Sequence, residues 1–218
     1  MTLDLASTED AEPQLAALTD LSRRVRDLID AVALTDVPEG ELAAAAAEVA
    51  ALTERLNAVR RDSPRSFEIG PDGAPRNLGN AVTGSANPHA LPLVAEVTPE
   101  RTVRAELSFR PAHEGPPGTV HGGVSAMILD HLLGHATAVA GFPGMTGTLT
   151  LRYRRRVPYG EPLVATAEYV RSEGRKHWSE GRIALPDGTV LVEASGLFIA
   201  PSWWSGQGPG PESAGEAG

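Results

Sequence analysis

The sequence predicts an α+β domain in which a curved antiparallel sheet wraps around one central helix, preceded by an N-terminal helical hairpin. An apolar stretch from about Gly122 to Ala140 lies between two short strand patterns in residues 93–109 and four longer ones in residues 146–200. Alternation and β-branched residues mark the strands. The links "SEG" at residues 172–174 and "PDG" at residues 186–188 are short enough to make neighbouring strands antiparallel. A helix enclosed by such a sheet must be apolar on nearly every face, as this one is.

Residues 10–61 show the periodicity of two amphipathic helices. The first apolar series is Leu15, Leu18, Val25, Ile29 and Val32, and the second is Leu42, Ala46, Val49, Leu52, Leu56 and Val59. Between them, Thr35 or Asp36 can cap a helix and Pro38 suits its first turn. Because two such helices bury little by themselves, we expect an antiparallel hairpin that packs on the main domain or on a second subunit.

Changes in composition divide the chain into four parts. Residues 1–62 form the hairpin extension, residues 63–92 a connector rich in Pro, Gly and Asn, and residues 93–204 the core domain. A loop as long as this connector is often functional. Residues 205–218 are rich in Gly, Pro, Ser and Glu, a composition that predicts a disordered tail.

Composition narrows the possible functions of the 218 residues. The absence of cysteine excludes disulfides, thiolate metal sites and cysteine nucleophiles, and the net charge of −9 argues against nucleic acid as a partner. No apolar run approaches the length of a membrane span, and the acidic first residues do not resemble a secretory signal. A cytoplasmic protein with no membrane partner is therefore expected.

The segment "GTVHGGVSAMILD" (118–130), followed by strands, resembles the hotdog-fold acyl-CoA thioesterases, specifically the phenylacetyl-CoA-type (PaaI-like) branch. The resemblance covers roughly residues 80–200. It extends to "SANPHALPL" (85–93), "MTGTLTLRYRRRVPYGEPL" (145–163) and "EGRKHWSEGRI" (173–183). The N-terminal hairpin is not part of the common family core.

The resemblance implies hydrolysis of an acyl-CoA at a site shared by two subunits of a homo-oligomer, a dimer or a dimer of dimers. The N–H of Gly122 would bind the thioester oxygen, with the N–H of Gly123 as its nearest competitor. Asp130 would act as a general base or as a nucleophile. The nine residues from His121 to Asp130 span about 13.5 Å of helix, too far for one carbonyl to be shared comfortably within a chain. The family arrangement joins the glycine of one subunit to the carboxylate of another.

Other candidate residues keep alternative roles. His121 contacts the thioester or braces the turn, Thr146 positions the attacking water or is an ordinary strand residue, and Asn87 bonds near the carbonyl or initiates the Asn-Pro turn. Because CoA carries phosphates, Arg156 and Lys176 are the first candidates for substrate contacts, although a solvated sheet edge would also explain them.

The sequence offers three other interpretations. His131 and His135 stand four residues apart, but no third ligand follows at a metal-binding spacing, so neither a metal nor another cofactor is expected. Ser125 lies near His121 without the G-x-S-x-G pattern of a serine hydrolase. A hotdog module that binds acyl-CoA without turnover, as a sensor or scaffold, is the main alternative, although pure binding needs no carboxylate at Asp130.

Overall fold

The computed structural model describes residues 8–65, 67–70, 75–91 and 93–201, so the predicted tail from Ser205 lies outside the described residues. The helices are α1 (Thr8–Leu34), α2 (Glu39–Asn57) and α3 (Gly122–Val139). The strands are β1 (Phe67–Ile69), β2 (Pro75–Asn77), β3 (Ala95–Val97), β4 (Val103–Leu107), β5 (Met145–Tyr153), β6 (Leu163–Glu173), β7 (Lys176–Ala184) and β8 (Val190–Ile199). In the part of the chain that is described, no helix is long and apolar enough to cross a membrane.

The chain divides into two compact units. One comprises the residues up to Val94 together with Phe109–Glu114, and the other comprises Ala95–Ser108 together with the residues from Gly115 onward. The short segment 109–114, which the sequence places inside the core domain, thus belongs to the first unit.

The second unit is a six-stranded antiparallel sheet with α3 against it. The strand order is β3-β4-β6-β7-β8-β5, and every neighbouring pair is antiparallel. Helix α3 lies against β4 to β8. The predicted α+β architecture, two strands, one central helix and four strands, is confirmed.

The core of this unit lies between α3 and the sheet. Ile128, Leu129, Leu132 and Leu133 of α3 are completely buried. Each such side chain contributes about 1.5–3 kcal/mol through burial of apolar surface. At Gly196, an added Cβ would lie 2.6 Å from the ring of Phe198. Glycine is therefore required where that ring covers β8.

In the first unit, α1 is held to the connector by its buried polar face. Arg26 is 7% exposed, and its guanidinium donates a hydrogen bond of 3.0 Å to the backbone oxygen of Asn87. Further along, Arg110 forms ion pairs of 2.7 Å with Asp30 and 2.8 Å with Asp27. The carboxylates of α1 thus fix the segment that begins at Phe109 within this unit.

Helix α2 is present where the sequence predicts it, but its apolar stripe is uncovered. The helix contains no buried residue. Leu42, Val49 and Leu56 are 46%, 41% and 48% exposed. No described residue of the chain therefore supplies the cover that the predicted hairpin requires.

Candidate active site

At the first turn of α3, a side-chain cap occupies one of the two glycine N–H groups. His121 is the N-cap residue, and its Nδ1 accepts a hydrogen bond of 3.0 Å from the N–H of Gly123. In a neutral imidazole this places the proton on Nε2, where it can be donated outward, because the His121 side chain is exposed. The N–H of Gly123 is thereby occupied by the cap.

The N–H of Gly122 has no such partner. Among the described residues, the hydrogen bonds at this turn use the N–H groups of Gly123, Val124 and Ser125 but not that of Gly122. A free N–H at a helix N-terminus carries partial positive charge and binds an oxyanion well. Of the two glycines that the sequence offers as donors, the structure leaves Gly122 available.

Tyr153, at the end of β5, contacts the first turn of α3. Its hydroxyl donates a hydrogen bond of 2.8 Å to the backbone oxygen of Gly122. A Cβ at residue 122 would lie only 3.0 Å from Cζ and from the hydroxyl oxygen of Tyr153. A side chain at residue 122 would therefore have to displace the end of the Tyr153 ring. The sequence did not predict this contact, because no local pattern connects residues 122 and 153.

Asp130 lies further along α3, next to the start of β5. Thr146 Oγ1 donates a hydrogen bond of 2.8 Å to Asp130 Oδ1. The carboxylate is partly exposed, and the structure gives its second oxygen, Oδ2, no hydrogen-bond partner among the described residues. Thr146 thus orients one oxygen and leaves the other open for chemistry.

These residues form two groups at different positions along α3. The glycine cluster contains His121, Gly122, Gly123 and Tyr153, and the aspartate cluster contains Asp130 and Thr146. The eight residues from Gly122 to Asp130 correspond to about 12 Å of helix. One thioester carbonyl cannot contact both clusters of the same chain.

The neighbouring polar residues of α3 are partly or fully buried. Burial lowers the pKa of His131, with a smaller lowering from His135 and an opposing effect of Asp130, and burial also lowers the pKa of His135. The described residues contain no group of three or more His, Asp or Glu side chains able to hold a metal ion. Ser125 is fully buried, which removes it from contact with a substrate.

The two basic residues expected to contact CoA lie at opposite ends of the sheet. The register pairs Ile199 with both Lys176 and Met145, at one end of β5. Arg156 follows Tyr153, at the other end of that strand, and is exposed. Within one chain, Arg156 and Lys176 are therefore too far apart to bind the same phosphate.

Asn87 belongs to the first unit, where its side chain serves the connector. Its Nδ2 donates to the backbone oxygen of Gly79 at 3.0 Å, and its Oδ1 accepts from the N–H of His89 at 2.9 Å. These bonds give Asn87 a structural function in the Asn-Pro turn, and a contact with substrate stays a prediction.

Comparison with known proteins supports the resemblance seen in the sequence. Residues 117–192 match the family model "Thioesterase superfamily". A crystal structure described as a thioesterase superfamily protein is 35% identical, with a TM-score of 0.76. The match covers 84% of this chain and 94% of that chain. Since residues 93–204 are only about half of the chain, the similarity includes residues that precede the core domain.

Curated relatives match a shorter region. Acyl-coenzyme A thioesterase THEM4 of Xenopus laevis is 34% identical over 90 residues, which are 41% of this chain and 40% of that protein. The THEM4 protein of Bos taurus is also 34% identical over 90 residues, 37% of its length. The chain thus matches about two fifths of these relatives. Its similarity to the solved structure, by contrast, spans nearly all of that relative, and the chain therefore belongs to the thioesterase superfamily and has the hotdog fold.

Proposed function

We propose that this chain is an acyl-CoA thioesterase that converts an acyl-CoA and water into free CoA and a carboxylate. Membership of the thioesterase superfamily and the names of the THEM4 relatives support the substrate class. The observation that carries the proposal is that the chain has both an unused N–H at Gly122 and a carboxylate at Asp130 that Thr146 holds in one orientation. A protein that only binds acyl-CoA would need neither.

The glycine cluster stabilises the charge that develops on the carbonyl oxygen. As the carbonyl carbon becomes tetrahedral, its oxygen accepts a hydrogen bond from the N–H of Gly122, and the positive end of the α3 dipole favours the negative charge. His121 supplies a second donor, Nε2–H, from the same turn. Loss of one oxyanion donor typically costs about 2.7–4 kcal/mol of transition-state stabilisation.

Asp130 either activates the attacking water or attacks the acyl carbon itself. As a general base it takes a proton from water, whose oxygen attacks the acyl carbon; as a nucleophile it attacks the carbon directly and the resulting anhydride is hydrolysed. In both routes the C–S bond breaks and the sulfur of CoA takes up a proton. A single turnover in H₂¹⁸O that places ¹⁸O in the Asp130 carboxylate would establish the nucleophilic route, because water must then have attacked the aspartyl carbon of the anhydride.

Two copies of the chain are required for a complete site. Because the glycine and aspartate clusters are separated along α3, the proposal joins Gly122 of one copy to Asp130 of a second copy. The same exchange would bring Arg156, which follows the glycine end of β5, toward Lys176 of the second copy, which lies at the aspartate end. Both cations could then contact the phosphates of one CoA. We expect Arg156→Ala and Lys176→Ala to raise KM for the thioester more than they lower kcat.

Subunit mixing tests the shared site. Gly122→Ala, whose Cβ would crowd the turn that binds the carbonyl, and Asp130→Asn should each lower release of CoA about 10²-fold or more. Release is measured with a thiol reagent, which the cysteine-free chain does not consume. In an equimolar mixture of exchanging dimers, half are mixed and each has one intact site, so activity should return to about a quarter of the wild-type value. A mixture as inactive as its components would contradict the shared site.

The same assay separates catalysis from binding. If CoA thioesters raise Tm but no free CoA is released across short, medium, long and aryl acyl groups, the thioesterase proposal is wrong and the chain is an acyl-CoA-binding module. Release that persists in the Asp130→Asn variant would overturn the role of the carboxylate but not the activity.

A further inference from the structure

Helix α2 carries the pattern of a two-stranded helical seam. Its apolar residues follow alternating steps of three and four: Leu42, Ala45, Val49, Leu52 and Leu56. This is the heptad spacing that keeps one stripe of a helix facing a second helix. Since α2 buries none of its residues, the stripe has no cover among the described residues of its own chain.

We propose that α2 pairs in antiparallel orientation with α2 of a second copy of this chain. A two-fold axis near residues 50 and 51 places Val49 of each copy against Leu52 of the other. The next layer on each side places Ala45 against Leu56. Each layer then combines a smaller with a larger side chain, so the antiparallel seam fills evenly. A parallel pair would instead align Ala45 with Ala45 and leave a gap.

The charges beside the stripe favour the same orientation. Glu48 and Arg55 flank the seam on one side, are exposed, and have no ion-pair partner within the part of the chain that is described. Antiparallel pairing brings Glu48 of one copy next to Arg55 of the other, twice by symmetry. Parallel pairing would instead place Glu48 of one copy near Thr53 of the other, so these ion pairs would be lost.

The charges at the two ends of α2 also favour antiparallel pairing. Acidic Glu39 and Glu41 lie in the first turn of α2 and Arg55 in the last, with Arg60 and Arg61 shortly after it. In an antiparallel pair the acidic end of each helix meets the basic end of the other, and the helix dipoles also oppose each other. Because both surfaces in the contact are the same helix, this complementarity identifies a second copy as the occupant. Helix α2 contains none of the active-site residues, so the proposed pairing does not depend on thioesterase activity.

Cross-linking between single cysteines tests the register, since the natural chain has no cysteine. Glu48→Cys and Arg55→Cys proteins, equilibrated together and treated with a short thiol-reactive cross-linker, should give several times more linked dimer than either protein alone. The matched control pairs Ala47→Cys with Glu54→Cys, two exposed residues with the same spacing on the opposite face, and should link poorly. Equal linking in the two mixtures, or no gain over the single proteins, would overturn the antiparallel register.

Charge reversal tests the same contact without a cross-linker. Glu48→Arg and Arg55→Glu each turn two attractive pairs into two repulsive ones, so each should raise the dissociation constant of this contact about tenfold, measured by sedimentation. The double variant Glu48→Arg/Arg55→Glu should restore wild-type association. Failure of the double variant to recover, with both single variants weakened and folded, would mean that Glu48 and Arg55 do not meet.

Discussion

Helices α2 and α3 are both rich in apolar residues, yet their surroundings are opposite. In α3, Ile128, Leu129, Leu132 and Leu133 are completely buried by the sheet. In α2, no residue is buried. Their patterns differ in the same way, because α3 has large apolar side chains on most faces, whereas those of α2 lie on one stripe and its other faces carry alanine and charged residues. An all-round apolar helix is covered within its own domain, while a narrow 3-4 stripe fits one further helix.

The two helices also differ in the roles proposed for them. Helix α3 carries both the glycine and the aspartate clusters, so under the proposed function its surroundings serve catalysis as well as stability. Helix α2 carries neither cluster, and its proposed role is contact between copies. Changes in α3 should therefore affect turnover and folding, and changes in α2 should affect association.

The largest effect is expected from Asp130→Asn in α3. The substitution removes the acid–base group, so kcat for release of CoA should fall by about 10²-fold to 10⁴-fold. Its matched control is Asp187→Asn in the exposed turn between β7 and β8, where Oδ1 accepts a hydrogen bond from the N–H of Thr189 that asparagine can also accept. Wild-type turnover in the Asp130→Asn protein would remove Asp130 from the reaction.

Leucine truncation compares the burial of the two helices directly. Leu132→Ala should lower the free energy of unfolding by about 2–5 kcal/mol, because it leaves a cavity under the sheet. Leu56→Ala should cost about 0.5 kcal/mol or less in dilute protein, since this residue is half exposed. Urea titrations at low and high protein concentration check both values. The cost of Leu56→Ala should grow with concentration if α2 pairs between copies.

A smaller effect on turnover is expected from Thr146→Val. Loss of the 2.8 Å hydrogen bond leaves the Asp130 carboxylate less firmly oriented, so kcat/KM should fall about tenfold. Thr146→Ser should keep most of the activity. Thr148→Val, two residues along β5, changes a side chain with no described hydrogen bond and should be close to wild type. Equal losses at 146 and 148 would point to a general effect on the strand.

The smallest effect concerns pH. Burial holds the pKa of His131 and His135 below the ordinary value of 6.5, so the unfolded chain binds more protons than the folded chain as the pH falls through about 6.5. The free energy of unfolding should therefore decrease between about pH 7 and pH 5. His131→Gln should make this decrease shallower, as measured by urea titration at several pH values. A slope that does not change would contradict a contribution from His131.

Local patterns predicted the elements well. The apolar run from Gly122 to Ala140 corresponds to the observed helix Gly122–Val139, and the turn at residues 186–188 joins β7 to β8. The resemblance to thioesterases, carried by "HGGVSAMILD", is confirmed by the family match. The role of Asp130 in catalysis stays a prediction, although Thr146, the residue expected beside it, forms a hydrogen bond with it.

Contacts between residues that are distant in the sequence were harder to predict. Tyr153 was not expected under Gly122, because 31 residues separate them and only the course of β5 brings them together. Their positive charge made Arg156 and Lys176 joint candidates for contact with CoA, whereas the strand register puts them at opposite ends of the sheet.

Periodicity, turn residues and the His-Gly-Gly motif are local properties of the chain, so they were enough to predict the elements, the α+β class and the segment to which the proposed chemistry is assigned. Two features follow only from packing: His121 occupies the N–H of Gly123 and leaves that of Gly122 free, and α2 has no cover among the described residues. Both depend on which atoms meet after packing, and the same local pattern is compatible with more than one such arrangement.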